Sequence, residues 1–320
     1  MRALHCLIPA ATLLTATTVL AAYPDKTIRI IVPYAPGGNI DITARIVAPG
    51  MSEALGQQVV IDNRGGAGGT LGADLAAKAA PDGYTLLLGS SGTLSTAPPL
   101  YPKLGYDPVK DFAYTSLVSN VPLVLELHPA IPARSVKEFI ALAKSRPGRI
   151  TMGSSGAGTT NHLSGELFQS ATGTKFIHIP YKGSGPGLID LIGGQIDIFF
   201  DQLSASIGFI QAGKIRALAV TTSKRAVAMP ELPTLAESGL PGFDASTWTG
   251  IVLPAATPHD VVVKLHAALS KTLRTKATQD SFARLGAETL ESTPEEFARF
   301  MREDLAKWTK VVRTAGIKLE

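Results

Sequence analysis

Thiol chemistry is almost absent from this chain: among 320 residues the one cysteine is Cys6. It falls in an N-terminal segment that reads as a removable leader, so the remaining chain has no disulfide, thiolate metal site or cysteine nucleophile. Aromatic residues make up 6% and charged residues 18%, and the 30 basic and 26 acidic side chains are interspersed. No Lys/Arg run of the kind that follows phosphates is present, which argues against a nucleic-acid partner despite the net charge of +4. Beyond the N-terminus no apolar run reaches the roughly 20 residues needed to cross a bilayer. HExxH, GxSxG and a dinucleotide GxGxxG in a strand-to-helix context are all missing. His128, His178, His259 and His266 have no metal-ligand spacing, so neither a metal nor a cofactor is expected. What remains is 45% hydrophobic residues with 31 Gly and 22 Pro, the composition of a globular α/β chain with many tight turns. Its length points to about two domains.

Arg2, the apolar stretch Leu7 to Leu20 and the small residues Ala21 and Ala22 have the order of a secretory signal peptide. The expectation is cleavage near Ala22, with the mature chain starting at Ala22 or Tyr23, exported and periplasmic.

After this leader, short apolar runs alternate with helical patterns, as in βαβ units with mostly parallel strands. Thr27 to Pro33 reads as a strand, followed by a helix with Ile42, Ile46, Val47, Met51 and Leu55 on one face; Pro49-Gly50 predicts a kink or break within it. Strand Val59 to Ile61, glycine loop 64–69, a helix to about Ala79 and strand Thr85 to Leu88 lead to the loop Gly89-Ser90-Ser91-Gly92-Thr93. The same order returns about 120 residues on. Strand Arg149 to Met152, loop 153–158, helix Thr159 to Ser170, strand Phe176 to Ile179, loop Tyr181 to Gly185, a helix through Ile192 and strand Ile196 to Phe200 end at Asp201-Gln202. Two lobes of similar build are expected, each a mostly parallel sheet flanked by helices. Residues 23–119 with 250–320 form one and 120–249 the other, with crossings at Ser119 to Pro122 and at Ser246 to Gly250. Thr293-Pro294-Glu295-Glu296 opens a C-terminal helix to about 312 with a capping box, and Ser135/Glu138 and Thr234/Glu237 have the same spacing.

In open α/β sheets ligands sit beyond the carboxyl ends of the strands, where loops enter helix N-termini. Here those loops are rich in Gly, Ser and Thr, which allow backbone N–H groups to converge and suit an anion without an arginine clamp. Gly208 to Lys214 fits most of a phosphate-binding loop but has Ile215 where Ser or Thr would bind Mg²⁺, and reads as a helix end. Asp41 and Arg45 have the spacing of a helix-face ion pair. A Ser155, His162 and Asp201 relay would make a secreted hydrolase, the alternative reading; nothing in the spacing brings the three together.

Several short motifs occur together in order: Pro33-Tyr34-Ala35-Pro36-Gly37-Gly38 with Asp41 and Arg45, Asn63-Arg64-Gly65-Gly66-Ala67-Gly68-Gly69, Ala80-Pro81-Asp82-Gly83-Tyr84, Gly158-Thr159 with His162-Leu163, Pro180-Tyr181-Lys182-Gly183, Gly193-Gly194-Gln195 and Arg216-Ala217-Leu218-Ala219-Val220. Through them nearly the whole mature chain resembles the Bug family of periplasmic solute receptors, the substrate-binding proteins of tripartite tricarboxylate transporters. Pro49-Gly50, Leu94-Ser95-Thr96 and Gln202-Leu203-Ser204 depart from the family's usual local pattern. The resemblance implies an α/β, two-lobed periplasmic-binding-protein fold, type II-like, that closes as a Venus flytrap on a small carboxylate. It implies contacts from Tyr34, Pro36, Gly37, Gly38, Asn39, Ser90, Ser91, Gly92, Thr93, Ser155, Gly156, Ala157, Gly158, Thr159 and Asn161, with Tyr181 beside them and Asp201 meeting an amino or hydroxyl group. It also implies a monomer that delivers its ligand to membrane transporter subunits, or alternatively to a sensor kinase, and that is not an enzyme.

Overall fold

The computed structural model describes residues 23–317; the leader read at residues 1–22 lies outside the described residues. Strand β1 (Ile28–Val32) is flanked in parallel by β2 (Val59–Asn63) and β3 (Thr85–Ser90). In the second half β5 (Ile150–Ser154) is flanked in parallel by β6 (Phe176–Pro180) and β7 (Ile198–Gln202), so the strand order 2-1-3 repeats as 6-5-7. Helices α1 (Asn39–Leu55) and α2 (Thr70–Ala77) make the crossovers of the first half, α4 (Thr160–Thr172) and α5 (Ser184–Ile192) those of the second. Each unit therefore carries the right order for a parallel βαβαβ repeat. β1 is buried on both faces: Ile28, Ile30 and Val32 pack in one core and Ile31 in another. That accounts for its continuous apolar run instead of alternation.

Two long strands join the halves. β4 (Phe112–Leu127) and β9 (Ser246–Pro254) are antiparallel neighbours, with Ser119 opposite Thr249, Asn120 opposite Trp248 and Pro122 opposite Ser246. The two segments read as crossings thus pair with each other. β9 continues onto β3 and β4 onto β7, while β8 (Arg216–Val220) and the short β10 (Glu288–Thr289) add to β4. The remaining helices are α3 (Val136–Ser145), α6 (Leu203–Gln211), α7 (His259–Leu273), α8 (Lys276–Arg284) and α9 (Pro294–Ala315). Gly208 to Lys214 is the end of α6 and a turn.

α9 has the capping box read from Thr293 and Glu296. Its Phe297 and Met301 pack in a core of the first half, but Trp308 and Val312 pack with Leu123, Phe139 and Phe168 of the second. The helix therefore spans the junction. Trp248, at the strand crossing, donates from Nε1 to Asp304 Oδ2 of α9 at 2.7 Å. Asp304→Ala leaves this indole N–H without its acceptor, so a loss of about 1–3 kcal/mol is expected. That is a fall in Tm of several degrees, at about 2–4 °C per kcal/mol for domains of this order of size; an unchanged Tm would assign the contact no role.

Three local expectations are corrected. α1 runs unbroken through Pro49, because the ring lies on the exposed side, where the lost backbone bond leaves a carbonyl that water can reach. The adjacent Gly50 has a packing role: a Cβ there would sit 2.5 Å from Thr272 Cγ2, so α1 approaches α7 at that point. The segment after β3 is a wide helical turn over Gly92–Thr96 and not an open loop. At Thr234 and Glu237 the reciprocal capping bonds, 2.8 and 2.9 Å, close a turn without a helix behind it.

Candidate ligand-binding cleft

The carboxyl ends of β1, β3, β5 and β7 point to one cavity between the halves. Its wall consists of Tyr34, Gly38, Asn39, Ile40, Ser90, Gly92, Ser155, Thr159, Thr160, Asn161, Ser184, Gln202 and Thr247. Four helices begin there. Gly38 is the N-cap of α1, Thr159 of α4, Gly183 of α5 and Gln202 of α6. Only Thr159 among the four caps its helix through its side chain, accepting from His162 N–H; the other three leave first-turn amides without a side-chain partner. Each terminus carries up to about half a positive charge. No wall residue is a lysine, arginine or histidine.

A side-chain network floors the cavity. Asn161 Nδ2 donates to Phe200 O at 2.8 Å, to Asp201 Oδ1 at 2.9 Å and to Gln202 Oε1 at 3.4 Å, while its Oδ1 accepts from Ser155 Oγ and from Gln202 Nε2. Ser184 Oγ donates to Asp201 Oδ1 at 2.5 Å, and Gln202 Nε2 reaches Thr247 Oγ1 on the crossing strand at 3.0 Å. On the opposite side Ser204 Oγ donates to Asn39 Oδ1 at 2.7 Å, leaving the buried Asn39 Nδ2 without a partner. An unpaired buried amide costs about 1–3 kcal/mol unless an acceptor reaches it.

The halves are in contact around this site. Ala35 N–H donates to Lys182 O at 2.8 Å, Thr96 Oγ1 to Gly158 O at 2.7 Å and Tyr101 OH to Ala157 O at 3.0 Å, and the Ser91 and Thr160 hydroxyls lie 2.9 Å apart. The space left to the centre of a water molecule inside is about 20 Å³, enough for roughly one water. In this conformation the cavity is too small for a ligand with several carbon atoms.

Of the residues expected to touch ligand, Tyr34, Gly38, Asn39, Ser90, Gly92, Ser155, Thr159 and Asn161 stand on the wall. Pro36 and Gly37 are exposed at the rim, and the Gly37 N–H is taken by Asp41 Oδ2 at 3.0 Å. Ser91 and Thr93 turn inward, Thr93 to cap Ser90. Gly156, Ala157 and Gly158 form the seam between the halves. Tyr181 packs with Leu188, Leu191 and Phe199 and donates to Asp190 Oδ2 at 2.7 Å. Asp201 is fully buried one layer behind the wall.

Thr160, inside the 155–161 loop expected to touch ligand, also lines the cavity, as do Ile40, Ser184, Gln202 and Thr247, which the sequence does not mark as contacts. Thr160 and Ser184 are the first residues of α4 and α5, so their signal was the helix start itself; Thr247 lies in the crossing segment, where any side chain turned to the cleft is a candidate. Asp41 does more than pair with Arg45. It accepts from Arg45 at 2.9 and 3.0 Å, from Gly37 N–H and from Asn63 Nδ2 at 3.0 Å, which ties the Tyr34–Gly38 loop to α1 and β2.

Ser155, His162 and Asp201 do not form a relay. Ser155 donates to Asn161, while His162 Nδ1 accepts from Gly158 N–H at 3.2 Å. The His162 ring stacks on His178 with centroids 4.0 Å apart, and burial lowers the two imidazoles to about 3 and about 4, so both are neutral at physiological pH.

Residues 43–317 match the family described as the Tripartite tricarboxylate transporter family receptor. The protein BugT of Bordetella pertussis is 40% identical over 299 residues, 93% of this chain and 92% of BugT. The periplasmic binding protein BugD is 38% identical with a TM-score of 0.91, covering 93% of this chain and all of BugD. MatC from Rhodopseudomonas palustris, solved with bound malate, is 35% identical with a TM-score of 0.88, over 91% of this chain and all of MatC.

Proposed function

We propose, starting from the fact that this chain belongs to the tripartite tricarboxylate transporter receptor family, that it captures a small dicarboxylate between its two halves and hands it to membrane transporter subunits. The chain is a solute-binding receptor with the two-lobed fold of periplasmic binding proteins. The observation that carries an anionic ligand is the convergence of four helix N-termini on a wall with no basic side chain. Charge-assisted bonds from amides and hydroxyls contribute roughly 1.5–3 kcal/mol each. Several of them reach the approximately −8 kcal/mol of micromolar binding after association costs. That the related MatC holds malate supports the same class.

In this reading residues 1–22 are a cleaved export signal and the mature receptor works in the periplasm as a monomer. The lobe of residues 23–119 and 250 to the start of α9 closes on that of 120–249 with the end of α9, bending at β4 and β9, and closure buries the acid. Among the described residues no helix is long and apolar enough to cross a membrane.

The test is thermal unfolding of the refolded, ligand-stripped protein against dicarboxylates of graded length, their diamides, tricarboxylates and acidic amino acids. A ligand at about 100 times its Kd adds roughly 2.7 kcal/mol, an expected rise in Tm of about 5–10 °C. Stabilisation by a diacid but not by its diamide supports the reading; equal stabilisation by both, or by neither, overturns it.

A further inference from the structure

The apolar strand run Val121 to Leu127 contains one charged residue, Glu126, and it is completely buried. In the β4–β7 register Val124 stands opposite Asp201 and Glu126 opposite Phe199, so Glu126 and Asp201 are diagonal neighbours on one face of the sheet. The Ser206 hydroxyl faces Glu126 but donates to Gln202 O at 3.5 Å, so no hydrogen bond closes on either oxygen of Glu126, nor on Asp201 Oδ2. Asp201 Oδ1, by contrast, is joined to the cavity floor through Asn161 and Ser184. The pair thus lies behind the ligand wall with three buried carboxyl oxygens that no protein group bonds.

We propose that Glu126 and Asp201 form a proton-holding carboxyl pair beneath the cleft, through which capture of an anionic ligand takes up a proton from solvent. The inference rests on the dicarboxylate reading above. Two adjacent buried carboxylates without a cation cannot both stay ionised, since the desolvation cost of each and their mutual repulsion act in the same direction. The groups that face the pair are Ser206 from α6, Ser184 from α5 and Asn161 from α4, all neutral. Arg216 of β8 turns away to the carbonyls of Pro129, Ile131 and Ala133. Burial, and then the Asp201 charge, hold the Glu126 carboxyl well above its ordinary range; burial lifts Asp201 to about 7 against the opposing bonds from Ser184, Gln202 and Asn161. The two carboxyls therefore titrate as one pair, which keeps a proton where an isolated carboxyl has already lost it. An incoming dianion adds negative charge over Asp201 and raises it further, so binding draws in a proton. By linkage the affinity then falls as pH rises above about 7, by up to tenfold per pH unit. Glu126 acts as a positioning residue: it sets the charge of the floor without touching ligand.

Two measurements test this, the first without any ligand. At about pH 8, where ordinary carboxyls are ionised, infrared spectra of the ligand-free protein should retain the C=O stretch of a protonated carboxyl, and Glu126→Gln should lose it. Glu126→Met, of similar length and apolar, serves if the amide is not accepted in that core. Absence of the band in the unmodified protein, or its persistence in the variant, overturns the proposal even if acids bind. The second is calorimetry, with the stabilising acid from the thermal screen, in buffers of different ionisation heat. The expected result is net proton uptake above about pH 7 that disappears in Asp201→Asn; no uptake, or release, overturns it. If no acid stabilises the protein, the dicarboxylate reading fails and the infrared result still decides whether the pair holds a proton.

Discussion

Gly185→Val raises the Kd for the captured acid about a hundredfold and leaves the ligand-free protein folded. Gly185 is the second residue of α5, and a Cβ on it would lie 2.3 Å from Pro36 O and 3.5 Å from Gly37 Cα. Those atoms belong to the backbone of the other half and cannot rotate aside. The clash exists only when the halves meet, and the neighbouring Ala35 N–H to Lys182 O bond is lost with it. Overpacking of about 1–3 kcal/mol and a net hydrogen-bond loss of about 0.5–1.5 kcal/mol together reach the 2.7 kcal/mol that corresponds to a hundredfold. In the separated form valine meets no such obstacle, and within a helix it is intrinsically no worse than glycine. Calorimetry gives the Kd, and small-angle scattering with and without ligand gives the compaction. A variant that binds and compacts as the parent does would remove closure at this seam from the mechanism.

A second large effect is expected at Asn161. Its amide serves Phe200 O, Asp201 Oδ1, Gln202 and Ser155 together, and among the described residues it joins the wall to the floor. Asn161→Ala leaves several of these buried groups without partners, at about 1–3 kcal/mol for each one that finds no substitute. The Tm should fall by about 5–10 °C, and binding should weaken more than a hundredfold, because Ser155 and Gln202 lose their fixed positions. A variant with normal Tm and Kd would show that the network is not required.

The sequence exposed the parallel repeat because it is built of short, strictly local signals: buried strands of about five residues, glycine loops and capped helices. Thr293 and Glu296 marked the start of α9 for the same reason, since the capping box is a contact three residues long. Its far end was a different matter. That Trp308 packs in the core of the second half follows from the tertiary path, which spacing does not encode. Pro49 misled because helix disruption depends on which side of the helix the ring occupies. In the cleft, glycine and hydroxyl residues at helix starts were legible, whereas Tyr181 was separated from the wall only by the fold and Thr247 was joined to it only by strand pairing. Glu126 passed unmarked although it is the one acid in an apolar run, because its neighbour Asp201 comes from 75 positions away and is brought there by the β4–β7 register.

The junction also gives the protein an optical property. Its two tryptophans, Trp248 on the crossing strand and Trp308 on α9, lie where the halves are linked, and the Trp248 indole is held between a carboxylate and the ring edges of Phe297 and Phe300. A twist of β9 against α9 alters the electric field along that indole. If the halves bend at β9 as proposed, a change of Trp248 emission on adding the acid in a stopped-flow experiment is the expected label-free signal of capture.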